Sequence, residues 1–288
     1  MTEVIPREPR VRHLEDRFRA ADGLWLFRQS WLPATPSRAV VVLVHGYAEH
    51  SGRYAEVAAC FAERKLAVTA YDQRGYGRSE GKRASIASFD EYVSDLDTFV
   101  GHVRQTHSDL PLMLLGHSMG GLIAAAYSIR HRPPVRGLVL SSPAVQTAHH
   151  VPPVLRGALT FLARFFPTLP TIRIKASKLA HDQDTVQVVR HDALNYRGRL
   201  PARTGAEMVK TGQFVLDHAD ALRFPLLIIQ GTEDRIVEPA GSMKLFQRAG
   251  SRDKTLRLYR GLYHETFNEP ARKVEVLRGV SDWIVQHA

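Results

Sequence analysis

From residue 39 onward, apolar runs of strand length recur between stretches with helical spacing. Ala39 to His45, Leu66 to Tyr71, Leu112 to Leu115, Gly137 to Ser141, Pro225 to Gln230 and Thr255 to Tyr259 read as strands, several of them apolar almost throughout, as expected when both faces are buried. Helices are predicted between them at Arg53 to Arg64, Phe89 to His107, Met119 to His131, Gly205 to His218 and Pro239 to Ala249, with a last helix running to the C-terminus. This alternation is that of βαβ units and predicts an α/β fold with a central, mostly parallel sheet flanked by helices. Ahead of it, Arg12 to Ala20 and Leu24 to Trp31 read as an antiparallel edge pair. After Ser142 the rhythm stops and the text becomes Pro-rich, aromatic and basic. The pattern therefore predicts a core built from residues 1–144 and 205–288, carrying an insertion at 145–204.

Composition narrows the class. The chain has 288 residues, 44% hydrophobic and 24% charged, enough to bury a core of ordinary size and too apolar for a disordered tail. Its one cysteine, Cys60, excludes an internal disulfide framework and cysteine-based zinc sites. The first residues mix acids and arginines without an apolar core of a signal peptide, and no apolar run approaches the 18 or so residues of a membrane span. A cytoplasmic location is expected, with contact at a membrane surface left open. The formal charge is +10, yet no RNP motif, zinc-finger spacing or basic tail accompanies it, so nucleic acid is not an expected partner.

The chemistry starts at Gly116-His117-Ser118-Met119-Gly120, which sits between an apolar strand and a helical run. A serine on such a sharp strand-to-helix turn takes a strained backbone, and small neighbours let strand and helix approach. Its Oγ then projects at a helix N-terminus, where partial positive charge favours an oxyanion. A serine hydroxyl is a poor nucleophile at neutral pH; it needs an imidazole to take its proton and a carboxylate to hold that imidazole. Asp234 follows the strand ending at Gln230, and His264 follows the strand ending at Tyr259. Both stand at the carboxyl ends of parallel strands, the edge where open α/β sheets place their sites. The order Ser118, Asp234, His264 is that of the α/β hydrolases. An oxyanion hole then takes one amide from Met119 and one from Tyr47, which follows the strand ending in His45-Gly46.

HGYAEHSGRY at His45 to Tyr54, YDQRGYGRSEG at Tyr71 to Gly81, GHSMGG at Gly116 to Gly121, GTEDRIV at Gly231 to Val237 and LYHETFNEP at Leu262 to Pro270 together resemble the monoacylglycerol lipases. These belong to the wider group of α/β hydrolases that includes the lysophospholipases. The resemblance implies an α/β-hydrolase fold and hydrolysis of a single fatty-acyl ester from glycerol, with Ser118, Asp234 and His264 as the triad. It also implies that Glu49 and Arg53 bind or organise the site for the glycerol head. Lysophospholipase or general carboxylesterase activity, and a non-catalytic lipid-binding protein on the same fold, are the alternatives. Eukaryotic members carry a second histidine three residues after the catalytic one, where this chain has Phe267; Asn268 and Glu265 are candidates to replace its contact. No metal and no organic cofactor is needed for this chemistry.

The insertion adds a lipid-facing expectation. From Pro152 to Phe166, Val154, Ala158, Phe161 and Phe165 form one helical row, with Leu155, Leu159, Leu162 and Phe166 beside it. So apolar a helix is expected to roof the Ser118 site, placing Leu155, Leu159 and Leu162 against the acyl chain, and to leave oily surface for a lipid interface. Between Leu110 and His181 there are eight Lys or Arg and no Asp or Glu. Five of them fall in the insertion and favour reversible contact with an anionic membrane. Tyr196, near the end of the insertion, is a candidate lining of the head-group pocket. Glu233 and Asp72 are weaker alternatives to Asp234, His117 reads as a structural neighbour, and His149 and His150 read as solvated loop residues. Oligomeric state is not legible.

Overall fold

Side chains along the central strands point alternately into two cores, the consequence of a sheet covered by helices on both faces. The computed structural model describes residues 11–146 and 163–288. Among them the strands are β1 (Val11–Arg19), β2 (Trp25–Pro33), β3 (Ala39–Val44), β4 (Leu66–Tyr71), β5 (Leu112–His117), β6 (Gly137–Ser141), β7 (Leu226–Gly231) and β8 (Lys254–Tyr259). They form one sheet in the order β1-β2-β4-β3-β5-β6-β7-β8. β1 pairs antiparallel with β2, β2 antiparallel with β4, and every later pair is parallel.

The helices are α1 (Ala55–Glu63), α2 (Asp90–Thr106), α3 (Met119–His131), α4 (Gln183–His191), α5 (Ala202–Asp217), α6 (Pro239–Arg248) and α7 (Lys273–His287). Val40, Val42 and Val44 of β3 join one core with α2, α3, α5 and α6. Ala39, Val41 and Leu43 of the same strand join the other, with α1 and α7. The edge strand β1 buries little beyond Phe18 and carries charged residues along its length, which keeps its free edge from pairing with another chain.

The structure adjusts several boundaries. The helix expected from Arg53 is a 3-10 turn at Ser51–Tyr54 followed by α1, and β5 runs two residues past Leu115, to His117. No helix was expected over residues 183–191, yet α4 forms there, with Asp182 capping it by accepting from the Thr185 amide. Only Val186 of α4 is buried, so its apolar stripe is too thin to read; the capping aspartate was the available signal. Of the predicted helix Pro152 to Phe166, Ala163 to Phe165 are helical, and Leu155, Leu159 and Leu162 lie outside the described residues. No helix among the described residues is long and apolar enough to cross a membrane.

The approach of α3 to β3 depends on glycine. A Cβ at Gly120 would collide with the carbonyl oxygens of Val44 and His45, and one at Gly116 with the carbonyl of Gly120. These obstacles are backbone atoms, which move only if a strand moves. Gly120→Ala is expected to destabilise the protein by roughly 2–4 kcal/mol, read as a lowered urea midpoint at unchanged slope.

Candidate active site

Ser118 occupies the turn between β5 and α3 with φ 54° and ψ −118°, a left-handed conformation costly for a residue with a side chain. Neighbouring backbone holds it there. Its N–H donates to Ser141 O at 2.9 Å, and its carbonyl accepts from Leu122 N–H and Ala144 N–H at 3.1 and 3.0 Å. The Ser118 hydroxyl lies 2.8 Å from His264 Nε2, and His264 Nδ1 lies 2.7 Å from Asp234 Oδ2. Both partners come from turns at the carboxyl ends of neighbouring parallel strands, Asp234 after β7 and His264 after β8.

Asp234 is itself fixed. Its Oδ1 accepts from the amides of Ile236 and Val237 at 2.8 and 3.0 Å, and its Oδ2 also accepts from Gln230 Nε2 at 2.9 Å. Gln230 is oriented in turn by Ser242 of α6, whose hydroxyl donates to Gln230 Oε1 at 2.8 Å. Sequence reasoning missed Gln230 and Ser242; the one hint was a polar residue closing an otherwise apolar strand.

Burial pushes the Asp234 carboxyl up, but the charge and hydrogen bond of His264 and the two amides outweigh it and hold the group below its usual range. For His264, burial lowers the pKa, and the adjacent Asp234 charge and hydrogen bond overcome that and raise it above 6.5. The sign gives a prediction. His264 must be neutral to take the Ser118 proton, so activity is lost as pH falls through a raised pKa. The acid limb of kcat/KM is therefore expected above pH 6.5, measurable with a water-soluble ester. His117, with its ring centroid 4.9 Å from that of His264, is pushed down to about 4 by burial and by His264. It stays neutral, and its Nδ1 is 3.2 Å from Ser141 Oγ; no hydrogen bond joins it to Ser118 among the described residues.

The amides of Tyr47 and Met119 make no hydrogen bond among the described residues. Met119 is the first residue of α3, where the helix dipole adds partial positive charge. The loop carrying Tyr47 is pinned on both sides. Gly46 N–H donates to Glu49 Oε1, Gln73 N–H donates to His45 Nε2 at 2.9 Å, and Ala48 adopts φ 67°. From the segment around α4, Tyr196 N–H donates to Ala48 O at 3.0 Å, and Asp192 pairs with His50 Nε2 at 2.8 Å. The Asp192 contact, 142 residues away in sequence, carries no sequence signal.

A cavity opens over this centre, lined by Gly46, Tyr47, Glu49, His117, Ser118, His264 and Glu265 and by the apolar Ile174, Leu179 and Ile236. Glu49 lines it directly. Arg53 stands behind and lines an adjoining cavity together with Glu49, Glu265 and Asn268. The Arg53 guanidinium donates to Glu49 Oε2 at 2.6 Å and, through two nitrogens, to both oxygens of Glu265 at 2.8 Å. Tyr196 packs its ring 6.2 Å from that of Tyr47 and donates its hydroxyl to Arg199 O.

Asp72 accepts from Ser51 and from the Arg78 amide, organising a loop rather than an imidazole, and Glu233 is exposed. Phe267 is buried, and Asn268 donates to Glu265 at 2.8 Å. His149 and His150 lie outside the described residues. No group of three or more His, Cys, Asp or Glu placed to hold a metal ion occurs among the described residues.

Comparison with known proteins places this geometry. The sequence profile of the serine aminopeptidase S33 family matches residues 35–271. The chain is 41% identical over 273 residues to a monoacylglycerol lipase of Mycolicibacterium smegmatis, covering 95% of this chain and 97% of that one. It is 33% identical over 268 residues to the monoglyceride lipase of Homo sapiens, covering 92% and 88%. The crystal structure of Paleococcus ferrophilus monoacylglycerol lipase superposes with a TM-score of 0.82 at 31% identity, over 91% of this chain and 99% of that one. The chain thus belongs to the serine aminopeptidase S33 family of α/β hydrolases and, within it, to the carboxylic ester hydrolases of the monoacylglycerol lipase type.

Proposed function

We propose that this protein hydrolyses the ester of monoacylglycerols to a fatty acid and glycerol, with Ser118 as nucleophile, His264 as general base and acid, and Asp234 as its orienting carboxylate. The observation that carries the reading is the continuous hydrogen-bonded chain Ser118–His264–Asp234 at a cavity lined by Ser118 and Tyr47, beside the amides of Tyr47 and Met119, which make no hydrogen bond among the described residues. His264 Nε2 takes the hydroxyl proton as Ser118 Oγ bonds to the ester carbonyl carbon. The amides of Tyr47 and Met119 receive the carbonyl oxygen as it becomes an oxyanion. The C–O bond to glycerol breaks, and the leaving oxygen takes its proton from His264. Water then attacks the acyl-enzyme by the same route, releasing the fatty acid and restoring Ser118.

Residues 145–204 act as a cap over the core in this reading, since Ile174 and Leu179 reach the cavity. Exposed Phe166, Leu169 and Ile172 stand close in sequence to exposed Arg164, Arg173 and Lys175, a combination suited to reversible contact with an anionic bilayer. Co-sedimentation with vesicles should then rise with anionic lipid, and equal binding by an Arg164, Arg173 and Lys175 charge-neutralised variant would remove the membrane contact.

A panel of mono-, di- and triacylglycerols, lysophospholipids and short esters tests the substrate. Monoacylglycerol is expected to give the highest kcat/KM. Turnover confined to short soluble esters would overturn the lipid reading and leave the hydrolase.

A further inference from the structure

The alcohol that leaves Ser118 must take its proton from His264 Nε2, so its oxygen lies within hydrogen-bond reach of that nitrogen. The rest of the alcohol then occupies the space next to His264, where the cavity wall is Glu49, His117 and Glu265. Glu49 and Glu265 share one cation. Arg53 is bonded to both, and the three side chains are 7%, 4% and 9% exposed, so they form a buried cluster with one excess negative charge.

Among the described residues, nothing else at the wall offsets that charge. Tyr54 donates its hydroxyl to Glu49 and burial keeps it un-ionised, while His117 is neutral. Asp234, behind His264, adds another carboxylate. The Arg53 charge holds both glutamates ionised against the burial that opposes it, Glu265 down to about 2. Besides Arg53, no lysine or arginine lines either cavity among the described residues. The guanidinium fork that would grip a phosphate is already seated on the two oxygens of Glu265.

We infer that Glu265 makes the leaving-group side of the site a charge filter, which admits uncharged polyol esters and rejects esters whose alcohol carries a phosphate. The inference rests on ester hydrolysis at Ser118 and specifies which alcohols that reaction accepts. A neutral polyol donates hydroxyl protons to carboxylates in this wall, whereas a phosphate brings a further one to two negative charges into a desolvated, already anionic site. Among the described residues, Arg164, Arg173 and Lys175 are exposed and line neither cavity. The protein is thus basic outside and acidic where the alcohol departs.

The test compares glyceryl monobutyrate with butyryl glycerol 3-phosphate, short enough to stay monomeric. The wild-type kcat/KM ratio is expected to favour the neutral ester strongly. Glu265→Gln keeps the volume and removes one unit of charge, and is expected to lower that ratio by about tenfold or more, the scale of one charge at short range in a partly buried site. Glu265→Asp is expected to keep the preference. A ratio unchanged in Glu265→Gln would overturn the filter, as would wild-type enzyme with no preference.

Should Glu265→Gln fail to fold, the wild type alone decides. Its preference for the neutral ester should grow several-fold as pH rises through about 6, where the phosphate takes its second charge, and a flat ratio would overturn the inference. Monoolein run alongside separates the two readings. An enzyme inert on monoolein that retains the neutral-over-anionic preference would refute the lipid substrate and support the filter.

Discussion

Ser118→Ala is expected to lower ester turnover on the order of 10⁴- to 10⁶-fold and to abolish labelling by a fluorophosphonate, while the protein stays folded. The loss is large because no other hydroxyl among the described residues is bonded to His264 Nε2. His264 Nε2 has Ser118 Oγ as its hydrogen-bond partner, and Ser141 and Ser142, the nearest serines in the site's scaffold, are bound to His117 and to the His264 carbonyl. The backbone strain at φ 54° is common to serine and alanine, so the substitution adds none. What is lost structurally is one hydrogen bond beside a cavity that admits water, a cost of about 1 kcal/mol. Purified variant and wild type should therefore unfold at similar urea concentrations and differ by orders of magnitude in rate. Activity above a hundredth of wild type would reject Ser118 as nucleophile.

The sequence carried the placement of Ser118 and Asp234 because each follows a strand buried on both faces, a contiguous apolar run. His264 instead follows the half-buried edge strand β8, KTLRLY, and was placed by the chain order and the strand rhythm. Val40 to Val44 and Leu226 to Ile229 cannot be mistaken for surface strands, and the residues just past them must lie at one sheet edge. The hydrogen bonds that make those three side chains a unit were not legible in the same way. Glu265 meets Arg53 across 212 residues, and Ser242 meets Gln230 between a helix and a strand. Neither pairing produces a period or a motif, since each depends on where separate elements come to rest. Glu49 and Arg53 were expected at the glycerol head from resemblance; their bonds to each other and to Glu265 emerge only in three dimensions. The thin apolar stripe of α4 hid a helix whose C-terminal Asp192 clasps the loop bearing Tyr47.

Asp234→Asn should cost nearly as much as losing the nucleophile, roughly 10³- to 10⁴-fold in kcat, for a reason visible in the hydrogen bonds. Oδ1 of Asp234 accepts from two backbone amides, so the asparagine amide nitrogen cannot sit there without opposing two donors. The NH2 must take the place of Oδ2. In that position it faces Gln230 Nε2, another donor, and His264 Nδ1. Gln230 is held against turning over, because its Nε2 also donates to the Gly231 carbonyl at 3.1 Å while its Oε1 accepts from the Ser242 hydroxyl. His264 can meet the new NH2 only by presenting an unprotonated Nδ1, which moves its proton to Nε2. The nitrogen facing Ser118 then donates where it must accept, and general-base catalysis stops. Proton NMR would show the loss of the downfield Nδ1–H resonance in parallel with kcat. Full activity with that resonance retained would mean that Asp234 does not set the tautomer. Gln230→Met combined with Asp234→Asn removes the opposing donor but leaves the NH2 facing His264 Nδ1, so it should regain stability without regaining rate.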